Sequence, residues 1–290
     1  MKWSIKKEQH GMLVRDYLMS VRAFSRRILK AVKEEGRILR NGQDVTVRET
    51  VNQGDIIEVI FPEEKKGRNL EPIPVPLNIV YEDDDIIVMN KEAGIPVIPS
   101  NHYRGATIAN GLIHHYEKLG LSYTVHIVTR LDKNTSGLML IAKHRVSHAI
   151  LAESQKKCQV KRTYMAFVSG HLLQKQGTIH LPIGRKPTSI IEREVRQDGQ
   201  EATTHYELVK EERTFSILKV QLETGRTHQI RIHFAHIGHP LLGDDLYGGS
   251  VELIGRQALH CHELTFPHPF TGENLRFTVD YAEDMERLLI

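Results

Sequence analysis

The sequence predicts an α+β protein: a mixed, mostly antiparallel sheet domain at residues 77–290, preceded by a small α+β module at 1–62 and a linker at 63–76. Three observations predict this. Apolar runs of strand length (NIVYE 78–82, DIIVMN 85–90, GLMLIA 137–142, YMAFV 164–168, FSILKVQL 215–222) dominate over two helical stretches, 107–119 and 144–157. The segment PEEKKGRNLEPIPVP joins four prolines to a charged run without an apolar period, so it reads as an extended, semi-stiff connector. With 290 residues, 40% of them hydrophobic and 26% charged, the chain has the makings of one large soluble domain and one small one.

Taken in order, residues 11–35 carry a helical rhythm broken into two short helices, with Ser25 as N-cap and Gly36 as the stop. Asn41-Gly42 is a hairpin signal between the short strands that follow, and GDIIEVIF closes the module. Arg22, Arg26, Arg27, Lys30, Lys33, Arg37 and Arg40 crowd the helix pair and the strand after it, while acids gather near Glu63. A solvated helix face would carry such charges, and so would a surface that meets RNA phosphates. Arg26, Arg27, Lys30 and Arg37 are the candidate contacts of that surface.

Composition also excludes function classes. The two cysteines, Cys158 and Cys261, are far apart and show no CxxC spacing, so neither a disulfide framework nor a zinc site is expected; both should be buried. The basic N-terminus lacks an apolar core, and no run approaches the ~18 apolar residues of a membrane helix. A cytoplasmic protein is expected. A net charge of +3 from 39 cations and 36 anions permits nucleic-acid binding without demanding it.

The chemistry concentrates around Asp132. By itself DKNTSG is turn chemistry, with side-chain oxygens ready to bond nearby amides and Gly137 free to take positive φ. KRTYMAFVSG (161–170) and LETGRTHQIRIH (222–233) add a Tyr and an Arg in equally unusual settings. Arg226 falls where a strand gives way to a helix, and a guanidinium there can form paired hydrogen bonds with a carboxylate; Asp132 is the expected partner.

RLDKNTSGLMLIAK fits R-L-D-x-x-T-S-G-x-x-x-x-A-K at all eight fixed positions and so resembles the RluA/RluD-like pseudouridine synthases. KRTY with Tyr164, TGRTHQIRIH with Arg226 and RQALHCHELTFPHPFTGE follow in the family's order, extending the resemblance over about residues 78–280. The N-terminal module is similar to the S-four-like RNA-binding domain, through GRILRNG and VNQGDIIEV. Arg40 stands where that pattern has an apolar residue, which predicts a reshaped hairpin. Thr129 stands where the family usually has His, which predicts altered local bonding or RNA fit with the chemistry retained.

The resemblance implies a pseudouridine synthase fold and isomerisation of uridine in RNA: the bond from base nitrogen to ribose breaks, the base turns, and a bond from carbon to ribose forms. No cofactor is implied. Asp132 would act on the anomeric carbon, on the base, or by assisting deprotonation of the sugar, and its residues leave these routes open. A free Asp, with pKa about 3.9, is already ionised at neutral pH, so Arg226 is expected to orient it and balance its charge rather than deprotonate it. Tyr164 is the expected platform for the uracil ring and acceptor of the proton lost from the base carbon. Arg130, placed by strand alternation on the side of Asp132, together with Lys161 and Arg231, makes up the expected RNA contacts. The target expected is large-subunit ribosomal RNA, with tRNA as the alternative; a monomer is expected, with no membrane partner.

Two other classes compete. A non-catalytic RNA-binding protein on this scaffold would keep its role after Asp132→Ala. A metal-dependent hydrolase would use His228, His233, His236 and His239, but their spacing is not HExxH and Gly238-His239-Pro240 breaks the helix, so no metal is expected.

Overall fold

A computed structural model describes the whole chain except Ala23, residues 62–69, Asn101, His102, Arg104, Ser122 and Ile290, and of Arg27 the backbone alone. Most of the expected linker's charged half and the Arg27 side chain therefore lie outside the described residues.

The N-terminal module has strands β1 (Lys2–Ser4), β2 (Arg37–Arg40), β3 (Gln43–Asp44) and β4 (Ile56–Ile60), paired antiparallel in the order β1-β4-β2-β3. Helix α1 (Val14–Asp16) continues as a π-turn through Tyr17–Val21, and α2 spans Arg26–Glu35. Ser25 caps α2 by accepting from the Ile28 amide at 3.2 Å, and the helix buries Ile28, Leu29 and Val32 on one face. The hairpin is not reshaped. Arg40 pairs with Gln43 across it, and Asn41 and Gly42 both have positive φ (53° and 83°), as a type I′ turn requires. The Arg40 side chain reaches sideways instead, donating to Thr50 O at 2.6 Å.

In the larger domain, the strands are β5 (Ile79–Glu82), β6 (Ile86–Lys91), β7 (His126–Ile127), β8 (Ser136–Ala142), β9 (Lys161–Ser169), β10 (Gln176–His180), β11 (Ile183–Arg185), β12 (Arg193–Val195), β13 (Thr203–Glu211), β14 (Phe215–Leu222), β15 (Leu259–Pro267) and β16 (Asn274–Thr278). Ten of them form one sheet in the order β10-β13-β14-β9-β15-β8-β6-β5, with β16 on β15 and β7 on β8; β11 and β12 make a separate hairpin. The β8–β15 pair is parallel, and the other ladders are antiparallel. The helices are α3 (Ile108–Lys118), α4 (Arg145–Lys156), α5 (Gln229–His236) and the short α6 (Glu283–Glu286).

Strand alternation divides the core in two. In β9, Tyr164, Ala166 and Val168 face the cluster that holds Ile108 and Leu112 of α3, Leu151 of α4 and Phe234 of α5. Met165 and Phe167 face the other way, onto Leu242, Ile254 and Met285. Tyr164 is thereby committed to the face that α5 covers. All seven residues of β8 are buried, which explains its unbroken apolar run.

The module is docked on the larger domain. Val146, Ala149 and Ile150 of α4 and Phe270 join its core, and Trp3 lies 6.1 Å from both Phe24 and Phe270, centroid to centroid. The described part of the proline segment is coil, held to α3 where Asn110 Nδ2 donates to Glu71 O at 2.9 Å. Of the two cysteines, Cys261 is buried as expected, but Cys158 is exposed, on a left-handed turn just past α4 (φ 55°).

Candidate active site

Asp132 opens a β-turn immediately before β8, in which the Thr135 amide donates to Asp132 O at 3.1 Å. Every residue after it is pinned. Lys133 O accepts from Lys91 Nζ and from the Gly94 amide, both at 2.9 Å. Asn134 O accepts from Arg256 Nη1 at 3.1 Å, and Thr135 Oγ1 from Gln257 Nε2 at 3.2 Å. Ser136 Oγ accepts from Arg256 Nη2 at 3.2 Å and so gives its own proton to His260 Nδ1 at 2.9 Å. Gly137 has φ 109°, and a Cβ there would stand 2.4 Å from Cys261 O on β15. The Thr-Ser-Gly of the motif thus anchors the turn and permits the parallel seam, leaving Asp132 as the side chain free to act.

Beneath the turn, Lys91 is 1% exposed and also donates to Glu92 O and Ile95 O. Burial lowers its ammonium to about 7, with Arg256 adding to the drop and Asp132 opposing it. Burial likewise lowers His260 to about 4 and pushes the Cys261 thiol up to about 12.

The guanidinium that reaches Asp132 belongs to Arg231, not Arg226. Arg231 Nη1 lies 3.2 Å from Asp132 Oδ2, while Nε and Nη2 form a paired clasp with the fully buried Asp244 at 2.7 and 2.8 Å. Arg231 is 6% exposed and lines the cavity that Asp132 faces. Arg226 Nε instead donates to Glu201 O at 3.0 Å from an exposed position at the cavity rim. The reason is local: His228, held left-handed at φ 58°, turns the chain into α5 and sends Arg231 inward one turn later.

Asp132, Arg231, Tyr164, Arg130, Arg162, Arg226 and His228 all line one cavity of about 510 Å³, enough for a nucleoside. Tyr164 is 4% exposed and accepts from Arg162 Nη1 at 3.2 Å. Burial raises its phenol well above the ordinary value, and the nearby Arg162 opposes that. Arg130 is exposed on the cavity wall; Lys161 is exposed at the start of β9, outside the lining. Thr129 is 1% exposed and its hydroxyl accepts from the Leu140 amide at 2.9 Å, so it ties the strand approach to β8 and does not face the cavity.

On the module, Arg26 is exposed, Lys30 lies 3.7 Å from Glu34, and Arg37 is clasped by Asp44 at 3.0 and 2.6 Å. The structure does not bring these cations into the cavity lining.

The four histidines near α5 do not converge on one point: His228 lines the cavity, and the others lie apart from it. His233 Nδ1 meets Thr204 Oγ1 and its Nε2 donates to Leu181 O, His239 Nδ1 donates to Ser169 O, and His236 is exposed. Among the described residues a different trio, Asp83, Asp85 and His268, is close enough to share an ion. Its donor set does not fit one: His268 Nδ1 accepts from the amides of Phe270 and Thr271, so Nε2 carries the proton and gives it to Asp83 Oδ2 at 3.1 Å. The trio is a hydrogen-bonded clasp.

Sequence reasoning missed Arg162, Asp244, Tyr247 and Lys91. Arg231 had a signal, as a cation between Ile230 and Ile232, which a folded chain tolerates only with buried partners.

A pinned carboxylate bonded by a guanidinium and a buried Tyr line one nucleoside-sized cavity on this sheet, a site suited to chemistry on a nucleoside. The chain belongs to the RNA pseudouridylate synthase family, whose model matches residues 85–236, and it is an RNA pseudouridine synthase. It is 48% identical over 279 residues to the "Uncharacterized RNA pseudouridine synthase YjbO" of Bacillus subtilis strain 168, covering 96% of this chain and 98% of the relative. It is 39% identical over 281 residues to the "Ribosomal large subunit pseudouridine synthase D" of Pasteurella multocida strain Pm70, covering 92% and 86%. In fold it is similar to Human RNA Pseudouridylate Synthase Domain Containing 1, with a TM-score of 0.59 at 22% identity, covering 74% of this chain and 93% of that one. Among the described residues no helix is long and apolar enough to cross a membrane.

Proposed function

We propose that the chain isomerises uridine in large-subunit ribosomal RNA, with Asp132 as the reacting carboxylate. The observation that carries this is the Asp132 side chain, held by Arg231 at 3.2 Å in the cavity wall. Arg231 takes the orienting role first assigned to Arg226: its bond to Asp244 fixes the guanidinium, which in turn aims the carboxylate without reorganisation. Tyr164 lies against the base and takes part in removing the carbon-bound proton. A phenol so raised is scarcely ionised on its own, and Arg162 at 3.2 Å supplies the positive charge that stabilises the phenoxide. Arg130 and Arg226 at the rim hold the extruded nucleotide's phosphates, and Lys161 the flanking strand. The N-terminal module is an S-four-like RNA-binding domain whose Arg26, Lys30 and Arg37 face the RNA.

The ribosomal target is supported by relatives such as the Pasteurella multocida enzyme, whose name specifies the large subunit. The test is to map pseudouridines chemically in total RNA from cells with and without the gene, then to complement with wild type or D132N. The expected result is loss of one or more large-subunit sites, restored by wild type and not by D132N. Loss confined to tRNA overturns the ribosomal target, and restoration by D132N overturns the assigned acid.

A further inference from the structure

Between Asp132 and the β11–β12 hairpin lies a hydrogen-bonded unit that the reaction scheme above does not use. Tyr247 follows Asp244 in a short 3₁₀ turn, Asp245–Tyr247. Its hydroxyl accepts from the Arg193 amide on β12 at 3.0 Å and lies 2.8 Å from His228 Nδ1. Among the described residues Nδ1 is the sole acceptor within bonding distance of that hydroxyl, so the proton of the phenol is directed there. His228 is then the tautomer with hydrogen on Nε2, and Nε2 points at the cavity, 3.8 Å from Asp132 Oδ2. The Tyr247 ring also carries the Arg231 guanidinium on its face, 5.0 Å from the centroid.

We propose that Tyr247 is a positioning residue of the site: it fixes the tautomer of His228 so that an N–H donor stands near Asp132 Oδ2, the oxygen that Arg231 also bonds. Two further observations point the same way. His228 is held in the left-handed region, which an L-residue adopts rarely and chiefly where its side chain must be aimed. Burial lowers the pKa of the imidazole, so it is neutral and one nitrogen alone bears hydrogen. The arrangement places a second N–H near Asp132 Oδ2, 3.8 Å away, beside the Arg231 hydrogen bond at 3.2 Å. When a uridine enters the cavity, the His228 N–H is also within the lining that meets the base or ribose. Because Arg193 sits on β12 while Tyr247 packs with Ile183, Val195 and Ile232 in one small cluster, the hairpin's seating sets where this donor points.

The proposal rests on the isomerase reading, and the experiment separates the two. The full chain, labelled with ¹⁵N-histidine, is examined at neutral pH by long-range ¹H–¹⁵N correlation, with H228Q identifying the His228 signals. Wild type should show hydrogen on Nε2, and Y247F should shift to the other tautomer or a mixture. On unmodified large-subunit RNA, Y247F should lower kcat about tenfold, the order of effect of one neutral hydrogen bond, at unchanged KM. H228Q places an amide nitrogen near the position of Nε2 without needing Tyr247, so adding Y247F to H228Q should cost little more. The proposal is overturned by a Y247F protein that keeps the tautomer, by one that keeps kcat, or by an equal loss in the H228Q background. A wild type without activity on any RNA overturns the isomerase reading instead, and the tautomer measurement still decides the hydrogen-bond chain.

Discussion

Arg231 performs two tasks that a pair of variants can separate. In R231M the paired clasp with Asp244 is lost, and Asp244, fully buried, keeps a carboxylate without its cation. Breaking a buried pair from one side costs about 3–5 kcal/mol, so the urea midpoint should fall steeply. R231M/D244L removes both charges and fills the space with apolar atoms, a change that is often neutral, so stability should return to within ~1 kcal/mol of wild type. Activity should not return. The hydrogen bond from Nη1 to Asp132 is charge-assisted, worth ~1.5–3 kcal/mol, and its loss should lower kcat roughly 10- to 150-fold even in the stable double variant. Urea unfolding followed by tryptophan fluorescence and circular dichroism reads the first task, and single-turnover pseudouridine formation reads the second. A double variant that folds and turns over like wild type would refute the claim that Arg231 aims the acid. R231M unfolding at the wild-type midpoint would refute the buried-pair argument.

Two other perturbations test the frame under the acid. G137A should destabilise by more than ~3 kcal/mol or fail to accumulate as soluble protein, because the added Cβ meets Cys261 O at 2.4 Å at a φ of 109°; a G137A protein with an unshifted urea midpoint would contradict the parallel seam. His260 falls from 6.5 unfolded to about 4 folded, so it is neutral in the native state. Its contribution is complete above pH 6.5 and is lost as pH falls toward 4, amounting to ~3 kcal/mol at about 1.36 kcal/mol per pKa unit. H260N should flatten that part of the stability-versus-pH curve, and an unchanged slope would show that His260 takes up its proton freely in the fold.

The large strands were legible from their apolar residues: GLMLIA lacks only Ser136 of β8, which is buried along its whole length, and FSILKVQL is β14 to the residue, its second half alternating with the exposed Lys219 and Gln221. The helices at 107–119 and 144–157 match α3 and α4 within about two residues, since each carries an apolar face at helical spacing. The short strands β10, β11 and β12 were not legible, because QGTIH, IGR and REV are polar or half-exposed and get their order from pairing. At the site, the Asp132 turn could be located from its motif, whereas its cation could not. Arg226 and Arg231 are five residues apart, and which one turns inward depends on the left-handed His228, a backbone state that residue type does not announce. Asp244 and Tyr247 come from a loop more than a hundred residues from Asp132, so no local pattern links them to it.

The module at the N-terminus shares side chains with the rest of the molecule: Trp3 against Phe270, and Val146 within its core. It is therefore no tethered hook that searches for a ligand independently. On the proposed reading of this module as RNA-binding, anything gripped by its outer face would be presented to Asp132 at one set offset and angle, as by a caliper. Such a gauge would select by the three-dimensional outline of a folded polynucleotide, accepting different letters at the same spacing and refusing the same letters in a differently bent strand.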